Sequence, residues 1–160
     1  MTTRVERWFE APPEAVYGAL TDQVTGAAWR VPDGMSVEVH EFDPRVGGGL
    51  RVSLTYQGDG AGKARGRTDT YRGRFVELVP GRRVVEEDEF ETDDPALGGV
   101  MRITIELAAE NQGTRLVAVH EGLPAAVSEE DNLEGWRQAL ERLAGMVERR
   151  DGVRLQPDPG

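Results

Sequence analysis

From Met35 to Glu121 the apolar residues recur at every second position, in runs separated by turns of only a few residues. Such alternation marks strands with one buried face. Turns that short can join only antiparallel neighbours, because a parallel pair needs a crossover of about a dozen residues or more. The runs are Met35–Val39, Leu50–Tyr56, Thr68–Val79, Arg83–Glu91, Val100–Ala109 and Thr114–Glu121, and Arg4–Glu10 reads as a strand ahead of them.

The period changes at both ends. Pro12-Pro13 opens a short helix striped by Val16, Ala19 and Leu20, proline being tolerated in a first turn whose N–H groups lack partners. A second short helix or turn covers Asp22 to Trp29. Near the C-terminus Leu133, Trp136, Leu140, Leu143 and Val147 recur every three or four residues, which gives one broad apolar helix face. Ser128, with Asp131 three positions on, caps its start. The expected fold class is α+β: a curved antiparallel sheet of about six or seven strands wrapped on a long C-terminal helix, with two short helices after the first strand. Residues 1–150 are expected to form one domain and 151–160, rich in proline and glycine, a flexible tail.

Charge gives the register. With Pro80-Gly81 as a two-residue hairpin turn, Arg74 faces Glu87, Arg72 faces Glu89, Tyr71 faces Phe90 and Phe75 faces Glu86. Around Asn111-Gln112, Ile103 meets His120 and Arg102 meets Glu121. Both registers place opposite charges across from each other, the favourable arrangement. They also send Glu86, Asp88 and His120 inward, on the face that the helix covers. Carboxyl groups there are costly unless they are hydrated, lie in a cavity, or meet an arginine that the sequence does not place; a curved strand or bulge turning them to solvent is the alternative. Gly73, opposite Asp88, leaves space on that face. A partly polar cavity between sheet and helix follows.

Several function classes are excluded. The net charge of -10 argues against a grip on nucleic acid or anionic membrane. The chain has no cysteine, which removes disulfides and thiolate chemistry. His40-Glu41 lacks the second histidine of a zinc helix, so no metal and no cofactor is expected. The segment YQGDGAGKARGRT, residues 56–68, holds the chain's one lysine, Lys63. It fails as a phosphate loop: position 57 is Gln57 where the first glycine belongs, and Ala64 replaces the hydroxyl residue. It reads as a hairpin tip or a lid. The opening MTTRVERWFEAPPEAV has no apolar core of a secretory leader and no run reaches the roughly 20 residues of a spanning helix, so a cytoplasmic protein is expected.

The segments Phe42-Asp43-Pro44-Arg45-Val46-Gly47-Gly48, Tyr71 to Pro80, Gly113-Thr114-Arg115-Leu116 and His120-Glu121-Gly122-Leu123-Pro124, with Gly135-Trp136, Leu140 and Leu143, resemble the bacterial homologues of the activator of the heat-shock-protein-ninety ATPase. The resemblance spans about residues 3 to 150 and implies the helix-grip fold of the START and birch-pollen-allergen (SRPBCC) superfamily. Its motifs are turn glycines, a hairpin and a core tryptophan, and they transfer no catalytic role.

Three readings of function result. The first is a carrier, sequestering or resistance-type protein for a hydrophobic or aromatic small molecule, with Trp29, Leu54, Tyr56, Tyr71, Phe75, Glu86, Asp88, Phe90, Met101, Ile103, His120, Trp136 and Leu140 about the pocket. Trp29 is expected at the cavity rim. The second is an enzyme of cyclase, dehydratase or hydrolase type using His120 with Asp88 or Glu86. The third, implied by the resemblance, is a chaperone-associated interaction module; the eukaryotic activator carries a further N-terminal domain for which these residues leave no room. Val117 and Val119, on the outer face, leave a homodimer open.

Overall fold

In the computed structural model the described residues are 1–23, 25–30, 34–56 and 68–148, without the side chain of Tyr56. The glycine-rich segment with Lys63 and the expected tail therefore lie outside the described residues. Seven strands form one antiparallel sheet: β1 (Thr2–Phe9), β2 (Met35–Phe42), β3 (Gly49–Tyr56), β4 (Thr68–Val79), β5 (Arg83–Phe90), β6 (Met101–Glu110) and β7 (Gly113–Glu121). Their order is β1-β7-β6-β5-β4-β3-β2, so β1 and β2 are the edges. Helix α1 (Pro13–Thr21) and a 3₁₀ turn (Ala28–Arg30) follow β1, and the long helix α2 (Glu129–Val147) packs on β1, α1 and the 3₁₀ turn.

The β6–β7 hairpin has the expected register, with Ile103 opposite His120 and Arg102 opposite Glu121. Its turn residues Asn111 and Gln112 have φ of 50° and 64°, the double left-handed turn whose twist matches the strands it joins. Arg102 nevertheless turns its guanidinium the other way, to Glu87 on β5 at 2.7 Å.

The β4–β5 hairpin reaches its expected pairs by another route. The turn is three residues, Pro80 to Arg82, not two: Val79 faces Arg83, and Gly81 takes φ of 74°. A β-bulge between Phe75 and Glu77 then takes up one residue, so that Phe75 faces Glu86, Arg74 faces Glu87, Gly73 faces Asp88 and Tyr71 faces Phe90. The cross-strand ion pairs Arg72–Glu89 (3.1 Å) and Arg74–Glu87 (3.2 Å) stand on the outer face.

The core lies between the inner sheet face and the helices. Phe9, Val16, Leu50, Val52, Phe75, Ile105, Leu116 and Leu143 are almost wholly buried, each contributing about 1.5–3 kcal/mol by its burial. Phe75 meets Phe42 edge-on, with ring centroids 5.5 Å apart. At the start of α2 the Ser128 hydroxyl accepts the Asp131 N–H at 3.0 Å, satisfying one of the helix's unpaired donors. No helix among the described residues is long and apolar enough to cross a membrane.

Candidate functional site

The sheet curves away from α2 over its middle strands and leaves a cavity of about 330 Å³. Leu54, Tyr71, Asp88, Phe90, Met101, Ile103, Ile105 and His120 form the sheet wall. Asp131, Asn132, Gly135, Trp136 and Ala139 of α2 form the helix wall, and Trp29, Arg30, Leu123 and Val127 complete the lining. The Trp29 and Trp136 rings are 6.0 Å apart, centroid to centroid.

Period-two alternation along β5 puts Glu86, Asp88 and Phe90 on the inner face. The β5–β6 register sets Glu86 beside Ile103 and Asp88 beside Met101. His120 therefore lies in the same cross-strand row as Glu86, one strand removed. The buried carboxylate has its cation: Arg30, delivered by the 3₁₀ turn, gives Nη1–H to Glu86 Oε2 at 2.7 Å and Nη2–H to Oε1 at 2.8 Å. The Arg30 Nε–H goes to the Gly26 carbonyl at 3.2 Å, and the guanidinium lies 5.2 Å from the Trp29 ring centre. This fork is the geometry in which arginine holds a carboxylate most firmly.

Glu86 and Asp88, two residues apart, are driven to opposite protonation states. Burial alone would raise the Glu86 carboxyl, but the charge and hydrogen bonds of Arg30 outweigh it and hold it at about 2. Asp88 is pushed well above the usual carboxylate range, first by burial and then by the negative charge of Glu86. Its Oδ1 is buried without a hydrogen-bond partner, a position tolerable for a neutral acid and costly for an anion. Burial pushes the Tyr71 phenol up to about 12. Of the buried groups at the site, Arg30 and Glu86 form an ion pair while Asp88 and Tyr71 are neutral.

Gly73 makes room for this arrangement. A Cβ there would stand 1.8 Å from Asp88 Oδ1 and 2.4 Å from the Glu87 carbonyl oxygen. Gly73→Ala is expected to cost about 1–3 kcal/mol in chemical denaturation, the usual penalty of overpacking. A change below about half a kcal/mol would mean that the Asp88 side chain and the β5 backbone at Glu87 both give way.

His120 is tied from both ring nitrogens. The Trp136 indole N–H, which can only donate, gives its hydrogen to His120 Nδ1 at 3.1 Å. Nδ1 must then be bare, and the proton sits on Nε2, which faces Met101 Sδ at 3.2 Å. Asn132 Nδ2 stands 3.4 Å from the same Nδ1, and its Oδ1 accepts from the Thr3 hydroxyl. Burial lowers the imidazole from 6.5 to about 4. Trp136→Phe removes the opposing indole donor and is expected to move this value upward, read from the His120 ring protons in an NMR titration. A value that stays put would assign the depression to burial alone.

Of the thirteen pocket residues named from sequence, nine line the cavity: Trp29, Leu54, Tyr71, Asp88, Phe90, Met101, Ile103, His120 and Trp136. Trp29 is buried in the wall, only 2% exposed, and not at a rim. Glu86 lies beneath the wall, locked to Arg30, while Phe75 and Leu140 belong to the core behind it. The Tyr56 side chain is outside the described residues. His40 is on the exposed edge strand β2 and bonds Ser53 at 2.8 Å. Val117 and Val119 are half-buried. Arg30 and Asn132 were not read from sequence. Asn132 had a usable signal, four residues before Trp136 and so on the same helix face; Arg30 had only the unmet need of Glu86 for a cation.

Chemically, this is a poor place for general base catalysis. The Nδ1 lone pair of His120 is engaged, the Glu86 carboxylate is clamped by Arg30, and the neutral Asp88 is hydrogen-bonded to Glu86. The arrangement instead offers an apolar space edged by a few hydrogen-bonding groups.

The chain is matched over residues 10–148 by the family model described as activator of Hsp90 ATPase homolog 1-like protein. Among solved structures, a protein of Chromobacterium violaceum is 40% identical, superimposing with a TM-score of 0.83 over 93% of this chain and 98% of that one. A protein of Rhizobium loti is 30% identical, with a TM-score of 0.69 over 92% and 96%. The AHSA1 protein of Silicibacter pomeroyi, at 23% identity and a TM-score of 0.73 over 91% and 96%, is alike in fold. None of the curated proteins matches.

Proposed function

Because the chain belongs to the activator of Hsp90 ATPase homolog 1-like family, with a helix-grip fold that commonly binds hydrophobic ligands, we propose that it carries or sequesters a hydrophobic or aromatic small molecule between sheet and α2. One observation carries this reading: the cavity is walled mainly by apolar and aromatic side chains, and its buried polar groups are either neutral or paired, the exposed Asp131 being the lining carboxylate outside that set. Its volume of about 330 Å³ is at the small end of the roughly 300–1,000 Å³ of ligand pockets. The engaged His120 and the clamped Glu86 weigh against the acid–base enzyme. Nothing in the site favours a chaperone surface over a small-molecule pocket. The acidic chain, at -10, also fits a cytoplasmic role away from nucleic acid and membrane. We read residues 1–150 as its single domain.

The test is native mass spectrometry of protein purified gently from its own organism, together with an Ile103→Trp variant that fills the cavity. An extra mass of a few hundred daltons, lost on denaturation and absent from the folded Ile103→Trp variant, is the expected result. An adduct that survives in the filled variant would place the ligand elsewhere and overturn the reading.

A further inference from the structure

The electrical state of the cavity restricts what can occupy it. The titratable groups that face it or underlie it are Arg30, Glu86, Asp88, Tyr71, His120 and Asp131. The positive charge of Arg30 is met by the two-pronged contact with Glu86, so an incoming carboxylate would find no uncommitted cation and would lie close to Glu86. It would lose its water without gaining a partner, which is the unfavourable way to bury a charge. Asp131, a further lining residue, sits with Glu129 and Glu130 in the acidic first turn of α2 and adds negative charge on the helix side. Hydrogen-bond donors, by contrast, remain. Of the five guanidinium N–H groups, three go to Glu86 and to the Gly26 carbonyl and a further one to the Tyr71 oxygen; Arg30 itself lines the cavity, and its side chain is 12% exposed. The Tyr71 oxygen accepts from Arg30, which leaves the Tyr71 O–H itself to be given to a ligand.

We infer, resting on the small-molecule reading above, that the ligand is uncharged and carries one hydrogen-bond-accepting oxygen, of the ester, amide or ketone kind, set against Arg30 and Tyr71. Its apolar body lies toward Trp29 and Trp136. The carboxylate form of the same molecule is excluded, so Arg30 and Glu86 together act as a neutrality filter.

Isothermal titration calorimetry near neutral pH with three matched probes tests this: methyl 2-naphthoate, 2-ethylnaphthalene and sodium 2-naphthoate. The ester is expected to bind at least about tenfold more tightly than the carboxylate and a few-fold more tightly than the hydrocarbon. Tyr71→Phe is expected to shrink the advantage of ester over hydrocarbon. A carboxylate that binds as well as the ester overturns the inference and leaves the cavity reading standing. Equal affinities for ester and hydrocarbon overturn the placement of an acceptor at Arg30 and Tyr71. Failure of all three probes to bind removes the cavity reading, and the inference with it.

Discussion

Arg30→Met is expected to lower the free energy of unfolding by about 3–5 kcal/mol, because it strands the Glu86 carboxylate in the interior. Glu86 is 0% exposed, and both its oxygens are bonded to this one guanidinium. Urea denaturation at neutral pH measures the loss. The double variant Arg30→Met/Glu86→Met is expected to recover most of it, since replacing a buried pair by apolar groups of similar size is often close to neutral. A single variant that loses less than about 1 kcal/mol would show that Glu86 takes up a proton and carries no buried charge. The pair also has a pH signature. Because the Glu86 carboxyl is held at about 2, below its ordinary 4.5, its stabilisation is present above 4.5 and is lost as pH falls toward 2.

The second large effect is pH-dependent and belongs to His120. The folded protein resists protonating this imidazole, which titrates at about 4 instead of 6.5, while the unfolded chain takes up the proton below 6.5. Stability is therefore lost as pH falls from 6.5 through 4. Asp88 acts in the opposite sense, because the fold keeps its proton and gains relative to the unfolded chain as pH falls. The wild type alone mixes the two. Compared with His120→Gln, which leaves an acceptor available to the Trp136 N–H, the wild type is expected to lose about 2 kcal/mol more stability between pH 7 and pH 5. Parallel curves for the two proteins would mean that the imidazole is hydrated and titrates normally.

How much of this was legible in the sequence depends on the kind of interaction. The sheet was readable because strand alternation and hairpin turns are local: Asn111-Gln112 fixes the β6–β7 register by itself. The inward direction of Glu86 and Asp88 was readable for the same reason. For the β4–β5 hairpin the expected pairs are present, but through a three-residue turn offset by the bulge at Val76, two irregularities that cancel in any pattern of charges. The partner of Glu86 was not legible. Arg30 is 56 residues away, on a 3₁₀ turn whose position depends on how α1 packs, and no periodicity links the two. The His120–Trp136 contact, between β7 and α2, is hidden in the same way: each residue was assigned to its proper face, but the meeting of indole N–H and imidazole depends on the angle at which the helix crosses the sheet.

Two of the chain's three tryptophans stand at the cavity, Trp29 and Trp136, while Trp8 faces the other side of the sheet, its N–H on the Glu110 carbonyl. The intrinsic fluorescence of the protein is thereby weighted toward this one chamber. Anything that enters it must alter the surroundings of two of the three emitters, and a proton arriving on His120 must alter one of them, with its ring centre 6.1 Å from Trp136. Occupancy of the cavity can therefore be followed optically in the unlabelled protein.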